Sequence, residues 1–404
     1  MAERSGPQYA DSAMAMDPLL NDVLSRVDDY RQKLTALREI ILANTVMCGE
    51  IPSPTFREER LVRFLADRFT ENDLQNIGTD EAGNAVAMLP GTEGKNNILL
   101  AAHTDKVWEE GVDHSVTVSG DRLVGTGVAD NALGVATMVG LPDILSKLGI
   151  KLKNNLILLG TSRSMGRGDL GGLRFFLENS QRQPAAAVCL EGVQLGRLSY
   201  SSLGMERGEL VVESHEERSN AGWGSTGAIV TMNRVVRQIL EIRTPEEPKT
   251  TIILGSIVAG SAFNTPPQRA TLRFEIRSEA PGMVSEISEQ IQDIVHQVNA
   301  EHQITAHYSV VARRKPGTIG FNHPYTAAAR NIMEALDVKP KVAPSISELS
   351  ALLDRGIPSL TLGLTYGDNK HEVNEMIYIE PIFRGLAQLV ALLEVIDGDL
   401  QDEQ

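Results

Sequence analysis

The hydrophobic and polar positions of the chain first follow the spacing of helices and then form short apolar runs. Residues 18–45 and 57–71 carry apolar side chains three and four positions apart with charges between them, which predicts amphipathic helices. Three apolar segments then predict strands: NAVAMLPG, NNILLAAH and NLILLGTS. The last two are nearly continuous apolar runs, as a sheet buried on both faces requires. Because a helical pattern over residues 129–149 separates them, the sequence predicts an α/β sheet with covering helices.

The pattern changes near residue 204. Strand and helix patterns then follow in the order βαββαβ, with the helices near 226–242 and 283–300. The four strand segments are GELVVESHE, TTIILGSIVAG, ATLRFEIRS and ITAHYSVVARR. This order is that of a ferredoxin-like unit. The α/β pattern resumes after about residue 316, so we predict two domains, with ranges 1–204 and 316–404 for the first and 205–315 for the inserted second.

Composition and charge narrow the class of protein. The chain has 404 residues, of which 42% are hydrophobic and 23% are charged, as is typical of a globular protein with two domains. Its 38 Lys and Arg against 53 Asp and Glu give a formal charge of -15, which argues against nucleic acid as a partner. We find no apolar run of about 18 residues and no apolar signal segment near the start, so we predict no membrane partner and a cytoplasmic location. Two distant cysteines, Cys48 and Cys189, fit a reducing compartment.

Side chains with metal-binding chemistry follow several predicted strands. His103 and Asp105 lie two residues apart where the strand NNILLAAH ends, at the edge where open α/β sheets place their sites. Glu191 follows the strand segment AAAVCL, and His371 lies in a polar loop after SLTLGL. A histidine ligand commonly donates its other ring nitrogen to a nearby carboxylate, as Asp105 would allow for His103.

Asp130 adds another acid, in the segment GTGVADNALGVATM just before a predicted helix. Two other interpretations remain open for single residues: Asp130 could cap the helix, and His103 could be a buried structural histidine. Together with Glu191 and His371, however, they form a set of nitrogen and oxygen ligands of the kind that zinc uses. The sequence therefore suggests a metal site made of histidines and carboxylates.

The chain resembles a known family, the co-catalytic zinc peptidases and deacylases that include acetylornithine deacetylase, succinyl-diaminopimelate desuccinylase, aminoacylase and glutamate carboxypeptidase. The resemblance covers nearly the whole chain and rests on segments in the family's order: LLAAHTDKV, GTGVADNALGVATM, LGTSRSMGRGDLGGLRFF, NTPPQRATLRFEIR, RGIPSLTLGL and KHEVNE. It implies a zinc-peptidase-like α/β/α domain with an inserted ferredoxin-like dimerisation domain, and hence a homodimer. It also implies substrates that are acylated amino acids or peptides, so the ligand would be a small molecule with an amide or carboxylate.

For the metal site, the resemblance implies a two-metal cleft. His103, Asp130 and Glu191 would hold one zinc, and Asp130 would bridge to a second zinc held also by His371. Asp105 would accept a hydrogen bond from the ring nitrogen of His103 that does not bind the metal. In such a pair the metals share an activated water, and a nearby carboxylate takes the water's proton.

The catalytic apparatus of the family is incomplete in this chain. Where the family has two consecutive glutamates, one a general base and one a ligand of the second metal, this chain has Ser164 and Met165. A serine hydroxyl is too weak a base near pH 7, and a neutral thioether suits an oxygen-rich zinc site poorly. We therefore expect at most one zinc or other divalent metal per chain, and impaired or absent hydrolysis.

The inserted domain shows a further departure and two agreements. The family's motif whose histidine reaches the partner subunit's cleft aligns with Arg218, and His215 lies three residues earlier. Arg218 could offer positive charge to an oxyanion or a carboxylate. Asn264 and Arg277 match family residues that contact substrate, and their alternative interpretation is a turn asparagine and a solvated strand-end arginine.

Three kinds of function remain open at this point. The first is a family descendant that keeps the fold, the dimerisation domain and one metal, has lost ordinary amide hydrolysis, and binds a ligand or a protein. The second is an active one-metal hydrolase, or an enzyme of altered chemistry on an amide-containing small molecule, in which Ser164, Arg163 or Arg218 takes a new role. The third is a purely structural dimer.

Overall fold

The computed structural model describes residues 18–215, 227–300 and 304–402. The helices of these ranges, in chain order, are α1 (Pro18–Leu34), α2 (Arg38–Glu50), α3 (Glu59–Glu71), α4 (Leu133–Leu148), α5 (Gly171–Asn179), α6 (Gly227–Glu241), α7 (Met283–Asn299), α8 (Pro324–Ala335), α9 (Glu348–Asp354) and α10 (Ile382–Asp402). The strands are β1 (Gln75–Thr79), β2 (Ala85–Leu89), β3 (Asn97–His103), β4 (Thr117–Ser119), β5 (Arg122–Val124), β6 (Asn155–Thr161), β7 (Ala186–Val193), β8 (Arg197–Ser199), β9 (Ser201–Ser202), β10 (Gly204–Ser214), β11 (Thr250–Ala259), β12 (Arg269–Ser278), β13 (Ile304–Arg314), β14 (Gly317–Thr318), β15 (Lys341–Val342), β16 (Ser359–Thr365), β17 (Gly367–Asp368) and β18 (Met376–Tyr378).

A large mixed sheet lies at the centre of the main domain. Within the described residues its strand order is β1-β2-β6-β3-β7-β16-β8-β15, and the central strands β6, β3, β7 and β16 run parallel. Side chains alternate between two cores: Ile98 and Leu100 of β3 pack with residues of α1, α4 and α10, whereas Leu99 and Ala101 pack with residues of α5 and α9. Because both faces are covered, the central strands are almost entirely apolar, and the predicted α/β/α fold class is confirmed.

The inserted domain has its own antiparallel sheet. In the described part of residues 204–314 its strand order is β11-β12-β10-β13. Helices α6 and α7 contribute Met232 and Ile291 to an apolar core that includes Leu210 and Phe274 of the sheet. The element order is βαββαβ, so the ferredoxin-like class predicted for this domain is confirmed.

Among the described residues, the stretch Val128–Leu148 is long enough and, with a mean hydropathy of 1.2, apolar enough to cross a membrane, although Asp130, Asp143 and Lys147 interrupt its apolar positions. It comprises the turn Val128–Ala132 and α4. In the structure, 89% of its most apolar window is buried. Its apolar side chains belong to the core between α4 and the large sheet, which accounts for the composition.

A small sheet brings two distant loops together at one end of the large sheet. Within the described ranges its order is β17-β18-β5-β4, and β18 pairs antiparallel with β5. The backbone N–H of Gly125 donates to the carbonyl of Glu375 at 2.9 Å, which ties the segment before α4 to the loop before β18. The first of these segments leads to Asp130, and the second carries His371.

Candidate metal centre

His103, Asp130 and Glu191 meet at the carboxyl edge of the parallel strands. His103 ends β3, Asp130 lies in the turn before α4, and Glu191 lies in β7. One ligand atom from each of the three side chains lies within 4.8 Å of the others, and all three residues are buried. This is a cluster of one imidazole and two carboxylates, which is a ligand set that zinc and similar divalent metals accept.

Asp105 and Asp130 bind the two ring nitrogens of His103. Nδ1 lies 3.0 Å from the backbone carbonyl of Asp105 and 3.5 Å from its Oδ1, and Nε2 lies 3.1 Å from Asp130 Oδ1. Burial opposes charge on His103, but the hydrogen bonds with Asp105 and Asp130 outweigh it and raise the pKa of the imidazole well above its usual value. Burial likewise opposes charge on Asp130, and hydrogen bonds from His103 and His371 overcome it and hold the pKa of this carboxyl well below its usual value.

Glu375 shapes the turn that carries Asp130. Its buried carboxylate accepts hydrogen bonds from the backbone N–H groups of Ala129 at 2.7 Å, Asp130 at 2.9 Å, and Gly127 and His371 at 3.3 Å each. Burial raises the pKa of Glu375, and these backbone donors oppose the rise. Glu375 was not identified from the sequence, although it ends the segment KHEVNE.

Two further groups face the second oxygen of Asp130. His371 Nε2 lies 2.7 Å from Asp130 Oδ2, and Lys370 Nζ lies 3.2 Å from the same oxygen. Burial opposes the charge of Lys370, but Asp130 and Glu191 outweigh it and raise its pKa. Arg197 similarly places a guanidinium nitrogen 3.5 Å from Glu191 Oε1. Neither Lys370 nor Arg197 was singled out from the sequence.

Ser164 and Met165 lie directly behind this cluster, in the loop after β6. Their backbone N–H groups donate to Asp105 Oδ2 at 3.0 and 2.8 Å. The Ser164 hydroxyl lies 3.1 Å from Thr161 Oγ1, which in turn donates to the buried carboxylate of Glu348 at 3.3 Å. Glu348 begins α9 and was also missed from the sequence.

The substrate-contact residues implied by the resemblance lie in two different places. Arg277 pairs with Glu275 and lines a cavity of about 440 Å³ together with Arg207 and with Gly166, which directly follows Met165. Asn264 lies in the exposed loop between β11 and β12 and lines another cavity of about 650 Å³. In this single chain the two residues are therefore not brought together at one cavity.

The remaining two candidates lie at the end of β10 and beyond. His215 is exposed, and its Nε2 lies 2.9 Å from Thr305 Oγ1 of the neighbouring strand β13. Arg218 lies outside the described residues.

The α/β/α fold and the buried histidine–carboxylate cluster together define a protein of the metallopeptidase class. The sequence matches Peptidase family M20/M25/M40 over residues 99–395, which is more than half of the chain. The protein belongs to this family, as the resemblance of its motifs indicated.

Individual relatives are distant in sequence and close in fold. YgeY of Escherichia coli strain K12, an uncharacterised protein, is 22% identical over 260 residues, which span 62% of this chain and only 61% of YgeY. The dipeptidase Dug1p of Saccharomyces cerevisiae is 12% identical and has a TM-score of 0.75, with 92% of this chain and 98% of that chain covered. YxeP of Bacillus subtilis, described as a dinuclear metal binding peptidase, is 15% identical with a TM-score of 0.62, covering 90% and 98%. At these identities the structural similarities show the fold.

Proposed function

We propose that the protein is a one-metal member of the M20 family that binds a small molecule with an amide or carboxylate group and hydrolyses amides poorly. One observation carries this proposal: the loop whose backbone N–H groups bind Asp105 has Ser164 and Met165 where the resemblance implies a general base and a ligand of a second metal. A carboxylate at the first position would take a proton from water, and a carboxylate at the second would hold another metal. A hydroxyl and a thioether do neither at neutral pH.

The donor set at His103, Asp130 and Glu191 fits one divalent metal. Its buried imidazole nitrogen and carboxylate oxygens are the ligand types that zinc prefers. A bound zinc or similar ion would polarise a carbonyl group and lower the pKa of a bound water. The chain's own residues fix these ligands: Asp105 orients the ring of His103, and Glu375 holds the turn that presents Asp130.

The class of ligand is supported by charge near the site. The cavity that Arg277 and Arg207 line is also lined by Gly166, which directly follows Met165 in the chain. Guanidinium groups bind carboxylates with two parallel hydrogen bonds. Among the structural relatives, Dug1p is described as a dipeptidase. We therefore propose dipeptides or N-acyl amino acids as the ligand class.

Calorimetric titration of dipeptides and N-acyl amino acids into the zinc-loaded protein tests this proposal. We expect zinc-dependent binding with a Kd of roughly 1 μM to 1 mM, which is the common range of Michaelis constants of enzymes. Arg277→Ala should weaken the binding of ligands with a free carboxylate by roughly 10- to 100-fold, which is the usual contribution of a hydrogen bond to a charged group. Arg269→Ala, on the exposed start of the same strand, is the matched control and should change little.

Binding that is unchanged by His103→Ala or by removal of zinc would contradict the proposed ligand site. An amidated dipeptide, which lacks the carboxylate, separates the contribution of Arg277 from the rest. The amidated dipeptide should bind the unmodified protein more weakly than the dipeptide with a free carboxylate does. Its Kd should not change in Arg277→Ala.

A second candidate function is supported by Glu348. Because Thr161 donates to Glu348, the Ser164 hydroxyl donates to Thr161, and a relay links the general-base position to a buried carboxylate. This arrangement favours the alternative of an active one-metal hydrolase, with Glu348 as the proton acceptor through Thr161 and Ser164. Turnover that is lost in Glu348→Gln but kept in Asp354→Asn, at the other end of the same helix, would support this alternative.

We also propose that the protein forms a homodimer through the inserted domain. The edge strand β11 exposes apolar side chains, with Ile257 57% and Val258 64% exposed. An exposed, apolar edge strand is a natural site for pairing with a second copy. A cytoplasmic location, and the lack of nucleic acid or membrane partners, stay predictions from the sequence.

Light scattering coupled to gel filtration checks the dimer. We expect twice the mass of one chain at micromolar concentration, and the mass of one chain for Ile257→Glu, because a charge on the edge strand opposes pairing. Leu240→Glu, an exposed apolar position on α6, is the matched control and should stay dimeric. A single-chain mass for the unmodified protein at these concentrations would overturn this proposal.

A further inference from the structure

Asp130 directs its two carboxylate oxygens to different partners. Oδ1 faces His103 Nε2 at 3.1 Å, on the side where Glu191 completes the metal-ligand cluster. Oδ2 faces His371 Nε2 at 2.7 Å and Lys370 Nζ at 3.2 Å. A histidine and an ammonium group therefore share the oxygen that a second metal ion would need.

The side of Asp130 that faces Lys370 is poor in metal ligands. A second divalent ion there would have Asp130 and His371 as ligands. At the position where the resemblance implies a further carboxylate ligand, this chain has Met165. Two protein ligands and a neutral thioether hold zinc weakly. The buried oxygen still needs a positive partner, because an unpaired buried charge is strongly unfavourable. Lys370 supplies that charge as a compact ammonium on a flexible stem, which demands no coordination geometry.

Lys370 is also partly open to solvent. Its side chain is 39% exposed, whereas that of Asp130 is 4% exposed, so Lys370 pairs with a buried carboxylate and still has exposed surface of its own. Of its three N–H donors, the one directed to Asp130 is used in the structure, and an ammonium can offer another to an oxygen atom of a ligand.

We propose that the ammonium of Lys370 is a built-in cation at the second-metal position of this site. It pairs with Asp130 Oδ2, excludes a second divalent ion by charge and by space, and offers an N–H donor to a carbonyl or carboxylate oxygen of a bound ligand. This inference rests on the proposed one-metal function, since it names the group that stands in place of the second ion.

The test is the number of zinc ions retained per chain, measured by elemental analysis after dialysis against a mild chelator. We expect one for the unmodified protein and one for Met165→Glu, because the ammonium still pairs with Asp130 Oδ2 and keeps a second ion from that oxygen. We expect two for Met165→Glu combined with Lys370→Ala. Met165→Glu with Lys370→Arg keeps the charge and should stay at one. Met165→Glu with Lys315→Ala, which removes a lysine paired with Asp354 elsewhere, should also stay at one.

The outcomes separate this inference from the function on which it rests. Two zinc ions in the unmodified protein would contradict the one-metal function itself. One zinc in the unmodified protein with two in Met165→Glu would leave that function intact and overturn the role of Lys370. One zinc in Met165→Glu/Lys370→Ala would overturn it as well. Lys370→Gln in the same Met165→Glu background should also reach two, and it serves as the second variant if Lys370→Ala does not fold.

Discussion

Replacing Ser164 by Glu is expected to raise the rate of hydrolysis of dipeptides and N-acyl amino acids by about 10²–10⁴-fold, from a negligible starting rate. This is the usual contribution of a positioned general base. The backbone N–H of residue 164 donates to Asp105, which also binds the ring of His103, and the resemblance implies a general base at this position. Steady-state release of the free amino acid, with zinc or cobalt supplied, measures the effect.

Ser164→Gln is the matched control for this variant. Its side chain has the size of Glu and cannot accept the proton, so the rate should stay at that of the unmodified protein. The contrary outcome is that the unmodified protein hydrolyses dipeptides and N-acyl amino acids at roughly 1–10³ s⁻¹, the common range for enzymes. If this activity is lost in His103→Ala, the proposal that hydrolysis is impaired is wrong. Dependence of that activity on Glu348 would then favour the active one-metal hydrolase.

Glu375→Gln is expected to weaken zinc binding by about 10- to 100-fold, although Glu375 is not itself one of the three clustered ligands. Groups that orient metal ligands typically contribute this much to affinity. The carboxylate accepts from the N–H groups of Ala129, Asp130 and His371. An amide replaces one acceptor oxygen by donors, which would face the N–H groups and leave buried polar atoms unsatisfied, at a cost of about 1–3 kcal/mol in the free energy of unfolding.

Zinc titration against a competing chelator and thermal unfolding measure the two effects. Glu372→Gln is the matched control, since Glu372 lies in the same loop and is exposed. Equal zinc affinity in Glu375→Gln and Glu372→Gln would show that Glu375 does not position Asp130 and His371.

The layers of the fold follow from patterns that the chain displays locally. Runs such as NILLAAH are apolar because alternate side chains enter the cores on the two faces of the large sheet, and the sequence therefore identified these strands. The small sheet of β4, β5, β17 and β18 was missed because strands of two or three residues are too short to show a period.

The residues of the candidate metal centre that lie at strand ends could be predicted from the sequence. Those that lie in loops brought together by the fold were harder to predict. His103 and Asp105 follow a long apolar strand, which marks them in the sequence. His371 and Asp130 are 241 positions apart, and their contact depends on the pairing of β18 with β5. Lys370 and Glu375 lie in a polar loop whose sequence is typical of a solvent-exposed segment. Their contacts with Asp130 are visible only in the three-dimensional structure.

The number of metal ions per chain tests the central claim most directly. The protein should be incubated with excess zinc, dialysed against a mild chelator and analysed for metal and protein concentration. The donor set at His103, Asp130 and Glu191, with Met165 in place of another carboxylate, predicts one equivalent of zinc, and none in His103→Ala. Two retained equivalents per chain in the unmodified protein would contradict the account.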